Sequence, residues 1–192
     1  MAEFEIHILD WFQTLHSPVL DTIMVGITTL GNAGLFWLLL GIILVAIPKT
    51  RKSGVLVWVA IIIDAILCNG ILKNLFARIR PFDMNTAIEL LITSPKDYSF
   101  PSGHTAVSFA AVAALMFAGE KKLWRLALIP AVLIAVSRLY LYVHYPTDIL
   151  GGIGVGILAG WLGYIIVTKL EGTFKGRFKR KQKEKNEGNA EP

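Results

Sequence analysis

The sequence predicts an all-α fold: an integral membrane helical bundle of about five transmembrane helices, six if residues 19–30 form a span of their own, plus an N-terminal amphipathic helix. Three observations carry that prediction. Apolar residues make up 54% of the 192-residue chain against 17% charged, and the mean hydropathy is +0.58, beyond ordinary soluble domains. The apolar residues gather into runs of membrane-spanning length. Lysine and arginine cluster between alternate runs instead of spreading evenly.

Residues 1–18 carry Phe4, Ile6, Ile8, Leu9, Trp11, Phe12 and Leu15 at roughly helical spacing. That pattern predicts a helix lying at the membrane interface, with Trp11 at headgroup depth. Glu3 and Glu5 stand where a secretory signal has a basic start, so the chain is expected to be mature throughout. Ser17-Pro18 ends the segment, and a membrane domain is expected over 19–170.

The apolar region 19–47 is too long for one straight span: a continuous helix would run ~43 Å against a hydrocarbon core of ~30 Å. Gly31-Asn32-Ala33-Gly34 predicts a break, leaving 19–30 as a tilted lead-in and about 33–47 as most of the first span. The second span is expected over about 54–77, the third over 102–118, the fourth over 123–141 and the fifth over 148–168. Residues 78–101 form a polar connection, and 171–192 a basic, disordered cytoplasmic tail. The single cysteine, Cys68, lies in an apolar run and excludes an intramolecular disulfide.

Charge sets the expected topology. Lys49, Arg51 and Lys52 lie in the loop 48–53 before span two, and Lys121, Lys122 and Arg125 in the segment 119–125 at the start of span four. Eight further cations follow from residue 169. With five spans all three groups fall on one side, which the positive-inside rule makes cytoplasmic. The N-terminus is then outside and the C-terminus inside. Lys73, Arg78, Arg80, Lys96 and Arg138 fall on the outer side, against that bias, which suggests an anionic ligand.

Three polar blocks flank the expected spans. Lys73 and Arg80, seven apart, share a helix face if the helix runs that far; each would also suit a cation snorkelling to the headgroups. Ser102 suits an N-cap, Gly103 allows close backbone approach, and His104 sits one turn into span three, a pattern an ordinary capped helix also gives. Ser137-Arg138 closes span four, and His144 and Asp148 are four apart, spaced for a catalytic pair or a loop salt bridge. Alternating spans bring all three blocks to one outer face. Three cations with helix N–H groups can cradle a phosphate, and two histidines can supply a nucleophile and an acid.

These blocks match a known pattern. Lys73 with Arg80-Pro81, then Pro101-Ser102-Gly103-His104, then Ser137-Arg138 with His144 and Asp148 resemble the three motifs of the type 2 phosphatidic acid phosphatase family of membrane lipid phosphatases, whose phosphate site is shared with vanadium-dependent haloperoxidases. Order and spacing agree, and the resemblance covers about residues 20–170. It implies that His144 forms a phosphohistidine, Asp148 holds its ring and His104 protonates the leaving oxygen. It implies that Lys73, Arg80, Ser102, Gly103 and Arg138 bind the phosphate. It implies no metal and no cofactor.

The expected substrate is a lipid phosphate or an isoprenoid lipid diphosphate drawn from the membrane, with phosphatidic acid, phosphatidylglycerophosphate and undecaprenyl diphosphate as candidates and no nucleic acid as partner. Oligomeric state is left open. A phosphotransferase using the same phosphohistidine and a non-catalytic binder of anionic lipids remain as alternatives. Asp64, well inside span two, should face the bundle interior, either as a hydrogen-bonded structural group or as part of a substrate cavity. Gly151, Gly152, Gly154, Gly156 and Gly160 predict close packing of span five, which would fix Asp148.

Overall fold

The structure, a computed structural model, describes residues 2–188 and the side chains of residues 3–173. It is helical throughout, with no strand among the described residues. The order is α1 (Ala2–Gln13), α2 (Pro18–Leu30), α3 (Leu35–Ala46), α4 (Arg51–Asp64), a π-helical segment (Ala65–Leu72), α5 (Lys73–Phe76), α6 (Pro81–Met84), α7 (Gly103–Phe117), α8 (Lys121–Tyr140) and α9 (Pro146–Gly188). The tail expected over 171–192 lies almost wholly outside the described side chains.

Ser17 caps α2 through its hydroxyl, and Pro18 supplies the first helical residue. A short 3-10 turn at Asn32–Gly34 separates α2 from α3, with Ala33 at φ +50° and Gly34 at φ +67°. The two helices bend by 48° there, where the sequence predicts a break. Three helical stretches are long and apolar enough to cross a membrane: Arg51–Met84, Lys121–Tyr140 and Pro146–Thr173. The bent α2–α3 pair makes a fourth.

The expected third span appears as α7, only 15 residues long. It is the central helix, packed on α4, α8 and α9, so protein and not lipid meets most of its surface. Its alanines pack against a glycine seam on α9. A Cβ at Gly156 would stand 2.4 Å from the Ala106 carbonyl oxygen, and one at Gly152 2.8 Å from that of Ser102. One at Gly160 would stand 2.6 Å from the Ala113 Cβ. Gly154 faces open space, so the seam runs along every fourth residue, as small-residue helix packing requires. Ser102 N–H donates to the Asp148 carbonyl at 3.0 Å, so this seam fixes the start of α9 against the start of α7.

Outside this core, Leu39, Ile42, Ile62, Ile66, Leu126, Ile129 and Ile157 are exposed along the helices, an apolar belt fit to meet lipid. At one end, Lys52 pairs with Glu171 at 2.7 Å and Ser53 donates to Glu120 at 2.8 Å. These contacts gather the basic loops and the later part of α9. α1 departs from a purely interfacial role. Trp11 faces outward, but Leu9 is fully buried against Tyr142 and Tyr145, and Glu5 is buried too.

Candidate active site

α4 does not run as one helix to Arg80. The π segment leads into the single turn of α5, and Ala77, at φ +43°, closes that turn by donating to the Lys73 carbonyl. A left-handed non-glycine residue is uncommon, and it turns the chain sharply. Arg78 to Arg80 are then extended, and Pro81 opens α6. Lys73 and Arg80 therefore do not share the face that a continuous helix would give them. They converge from two segments on a third residue, Asp97.

Asp97 went unnoticed in the sequence. Lys73 Nζ donates to its Oδ2, and Arg80 Nη2 to its Oδ1 at 2.6 Å. Arg80 Nε also donates to its carbonyl oxygen at 2.8 Å. Burial alone would raise the carboxyl, but Lys73 and Arg80 outweigh it and hold Asp97 at about 2. A carboxylate thus occupies two of the three expected phosphate-binding cations. The third, Arg138, donates to Thr28 Oγ1 at 2.6 Å, but its buried Nε has no hydrogen-bond partner and it makes no ion pair among the described residues.

His144 lies on the turn between α8 and α9. Tyr142, at φ +59°, reverses the chain, and Val143 N–H donates back to the Arg138 carbonyl. This brings His144 alongside Arg138. Its ring is 1% exposed. Nδ1 lies 3.4 Å from Asp148 Oδ2, and Arg80 Nη1 lies 3.3 Å from Nε2. A carboxylate at Nδ1 and a guanidinium donor at Nε2 select the neutral tautomer with its lone pair on Nε2. Burial is the main force lowering its pKa to about 3; Arg80 and Arg138 add to it, and the Asp148 hydrogen bond opposes it.

Asp148 is fully buried and more densely held than a histidine partner alone demands. It accepts from Tyr145 N–H at 2.9 Å, from Ser99 Oγ, and from Arg78 Nη1 at 2.6 Å. Arg78 also donates to Thr147 Oγ1 and to Glu5 Oε2, and stacks over Tyr145 at 4.0 Å from the ring centroid. Glu5 accepts in turn from Thr147 N–H at 3.0 Å and from its hydroxyl. A chain of contacts therefore runs from α1 through Arg78 to Asp148. The sequence marks Arg78 as one of the outer cations that suggest an anionic ligand, whereas here it is paired with Asp148 and Glu5. No local signal marks Glu5, whose partner lies 142 residues away.

His104 is in the first turn of α7, with Nε2 2.9 Å from Asn32 Oδ1. The kink between α2 and α3 makes that contact possible: a Cβ at Gly31 would stand 2.7 Å from the His104 ring. Gly103 passes close to Lys73, whose Nζ would lie 3.6 Å from an added Cβ. Ser102 stands at the N-cap of α7, as its pattern predicts, but makes no side-chain cap bond. It is fully buried, and its hydroxyl accepts from Thr105 Oγ1 at 3.0 Å. The expected site residues meet at one place. Lys73, Arg80, Gly103, His104, Arg138 and His144 line a cavity of about 580 Å³. Ser102 and Asp148 stand behind its wall, and Asp97 joins its lining. A cavity ringed by cations, with a buried neutral imidazole beside them, can hold a phosphoryl group and attack it.

The chain is similar to known membrane phosphatases. An undecaprenyl-diphosphatase from Sulfolobus acidocaldarius is 33% identical over 131 residues, spanning 68% of this chain and 62% of that protein. The crystal structure of a phosphatidylglycerolphosphate phosphatase from Bacillus subtilis superposes with a TM-score of 0.70 at 28% identity, covering 88% of this chain and 86% of that one. A bacterial vanadium-dependent iodoperoxidase shares the fold, with a TM-score of 0.68 at 18% identity over 86% of this chain and 49% of its own. The profile of the PAP2 superfamily matches residues 53–171, more than half of the chain, and the chain belongs to that family.

Proposed function

We propose that the protein is a membrane-embedded phosphohydrolase that removes phosphate from a lipid phosphate or lipid diphosphate through a phosphohistidine. The observation that carries this reading is His144: buried, neutral, held by Asp148 at Nδ1, with Nε2 turned toward a cation-lined cavity. In this scheme Lys73, Arg80, Arg138 and the Gly103 N–H hold the phosphoryl oxygens, with Ser102 supporting that helix start. His144 Nε2 bonds to phosphorus as the bond to the leaving oxygen breaks, and His104 protonates that oxygen. Asp148 stabilises the imidazolium form. Water then attacks phosphorus, His104 takes its proton, and the P–N bond breaks to release phosphate. No step is routed through a metal.

In this reading the chain crosses the membrane five times, through the bent α2–α3 pair, α4 with its π segment, α7, α8 and α9, and the site faces outward. The N-terminus lies outside and the C-terminus in the cytoplasm. Support comes from the basic loops, tied to one another at the end of the bundle away from the cavity. The relatives' named substrates, an undecaprenyl diphosphate and a phosphatidylglycerolphosphate, are both lipids with a terminal phosphate.

The test is acid-labile labelling of purified protein with a ³²P-labelled lipid phosphate. We expect rapid labelling at His144, and loss of phosphate release by about 10⁴-fold or more in His144→Ala. Turnover retained in that variant would remove the nucleophile assignment. Transfer of label to an added acceptor lipid instead of water would identify a phosphotransferase.

A further inference from the structure

A second cavity, of about 250 Å³, adjoins the first. Lys73, Asp97, Gly103 and His104 line both, whereas His144 lines only the first. In a displacement at phosphorus the nucleophile and the leaving group lie on opposite sides, and the acid stands beside the leaving oxygen. On the phosphohydrolase reading above, His104 therefore marks the boundary, and the second cavity lies on the leaving-group side.

The two cavities differ in charge. The first has Lys73, Arg80 and Arg138 against Asp97. The second has Lys73 alone against Asp97 and Asp64. Asp64 ends α4, where the regular helix gives way to the π segment, a distortion common at functional sites. It is 2% exposed, and its Oδ1 has no hydrogen-bond partner. A buried polar atom without a protein partner needs an explanation, and beside a cavity a ligand's hydroxyl supplies one. Asn69, one turn further along, adds an amide to the same lining. The mouth is formed by Ala33 at the α2–α3 break and by Ala65 and Asn69, all exposed. Ile62 and Ile66 of the apolar belt flank it, so it faces lipid.

We propose that this second cavity is the leaving-group subsite, entered from the bilayer, and that it takes an alcohol keeping a free hydroxyl beside the phosphorylated oxygen, with Asp64 accepting from that hydroxyl. A second phosphate in this place would meet two acidic side chains and a single lysine already shared with the first cavity. A leaving group with no donor would leave Asp64 unsatisfied. The site thus favours a glycerol-type phosphomonoester over a diphosphate, and over a phosphomonoester whose neighbouring hydroxyls are all esterified.

The experiment uses the full-length protein in detergent with phosphatidylglycerophosphate and phosphatidic acid of matched acyl chains. In the native protein we expect kcat/KM for phosphatidylglycerophosphate to exceed that for phosphatidic acid by at least about ten-fold. Asp64→Ala should bring the ratio close to one. Asp64→Asn, which keeps an acceptor oxygen, should retain most of the preference. A ratio unchanged in Asp64→Ala, or better turnover of an isoprenoid diphosphate by the native protein, overturns the proposal. If no lipid phosphate is turned over, the phosphohydrolase reading fails instead. Calorimetric binding of the same two lipids then decides the subsite: a preference lost in Asp64→Ala upholds it, and equal dissociation constants overturn it.

Discussion

The two halves of the site are built in opposite ways. Behind His144 the polar groups around Asp148 are committed to other protein groups. Asp148 accepts from Tyr145, Ser99 and Arg78, and Arg78 is anchored by Glu5 from α1. Around Lys73, Arg80 and Arg138 the commitments are provisional. Lys73 and Arg80 rest on the carboxylate of Asp97, which is itself 53% exposed on an irregular loop, and one nitrogen of Arg138 has no partner. In the proposed mechanism the contrast has a purpose: a nucleophile gains from being fixed before substrate arrives, because orientation is then part of the fold. A phosphate clamp must keep donors that an incoming anion can claim. Asp97 meets both needs, satisfying the cations without a permanent bond to the core.

The largest test of that contrast breaks the rigid half. Asp148→Asn removes the negative charge that stabilises the imidazolium in the proposed mechanism, and its amide can donate to Nδ1 and select the wrong His144 tautomer. We expect kcat to fall by about 10³–10⁴-fold while phosphate still binds. Arg78→Ala, acting only by positioning Asp148, should cost about 10–100-fold in kcat with little change in KM. Equal losses in the two variants would mean that Arg78 touches the substrate.

The provisional half yields a change of the opposite sign. Asp97→Asn withdraws the competing charge from Lys73 and Arg80, so inorganic phosphate and vanadate should inhibit about ten-fold more tightly, a gain of about 1.4 kcal/mol. Weaker inhibition would show that Asp97 orients the cations instead of competing for them.

The smallest effect is on pH dependence. His144 is held at about 3, below its ordinary 6.5, mainly by burial. Between those values the unfolded chain binds a proton that the folded chain refuses, so this group makes stability rise with pH across the window and level off above it. Asp97, lowered from 3.8 to about 2 against its own burial by Lys73 and Arg80, adds a smaller rise in the same direction below about pH 4. The melting temperature in detergent should therefore climb from pH 4 to 6.5. His144→Asn should flatten that climb by several degrees, on the order of 5 °C at pH 4. An unchanged slope would mean that His144 gains a proton in the folded protein.

How much of this is visible without coordinates differs by region. Helix positions follow from apolar runs and from breaks at Ser17-Pro18 and Gly31–Gly34, because hydrophobicity and capping act within one or two turns. The residues converging on the cavity are legible for a related reason. The alternation of spans brings successive loops to one end, so Lys73, His104, Arg138 and His144 need no long-range prediction to meet. The shared face that a continuous helix gives Lys73 and Arg80 does not form, because the helix stops at the left-handed turn of Ala77, which carries no signal in an alanine. Ser102 stands at the N-cap of α7 as its pattern predicts, but its hydroxyl accepts from Thr105 and makes no cap bond to the backbone.

What the sequence by itself determined is the chemistry: which groups are present, in which order, and at which end of a membrane bundle. Those facts rest on composition and on periodicities only a few residues long. Only the tertiary structure decided what holds and what opposes those groups. Glu5 reaches Thr147 across 142 residues, Asp97 takes the clamp, and Asp64 stands without a partner beside a second cavity. Each depends on helices from distant parts of the chain meeting at a particular depth and rotation. Depth and rotation are set by packing, above all by the glycine seam of α9 on α7, and not by any local pattern.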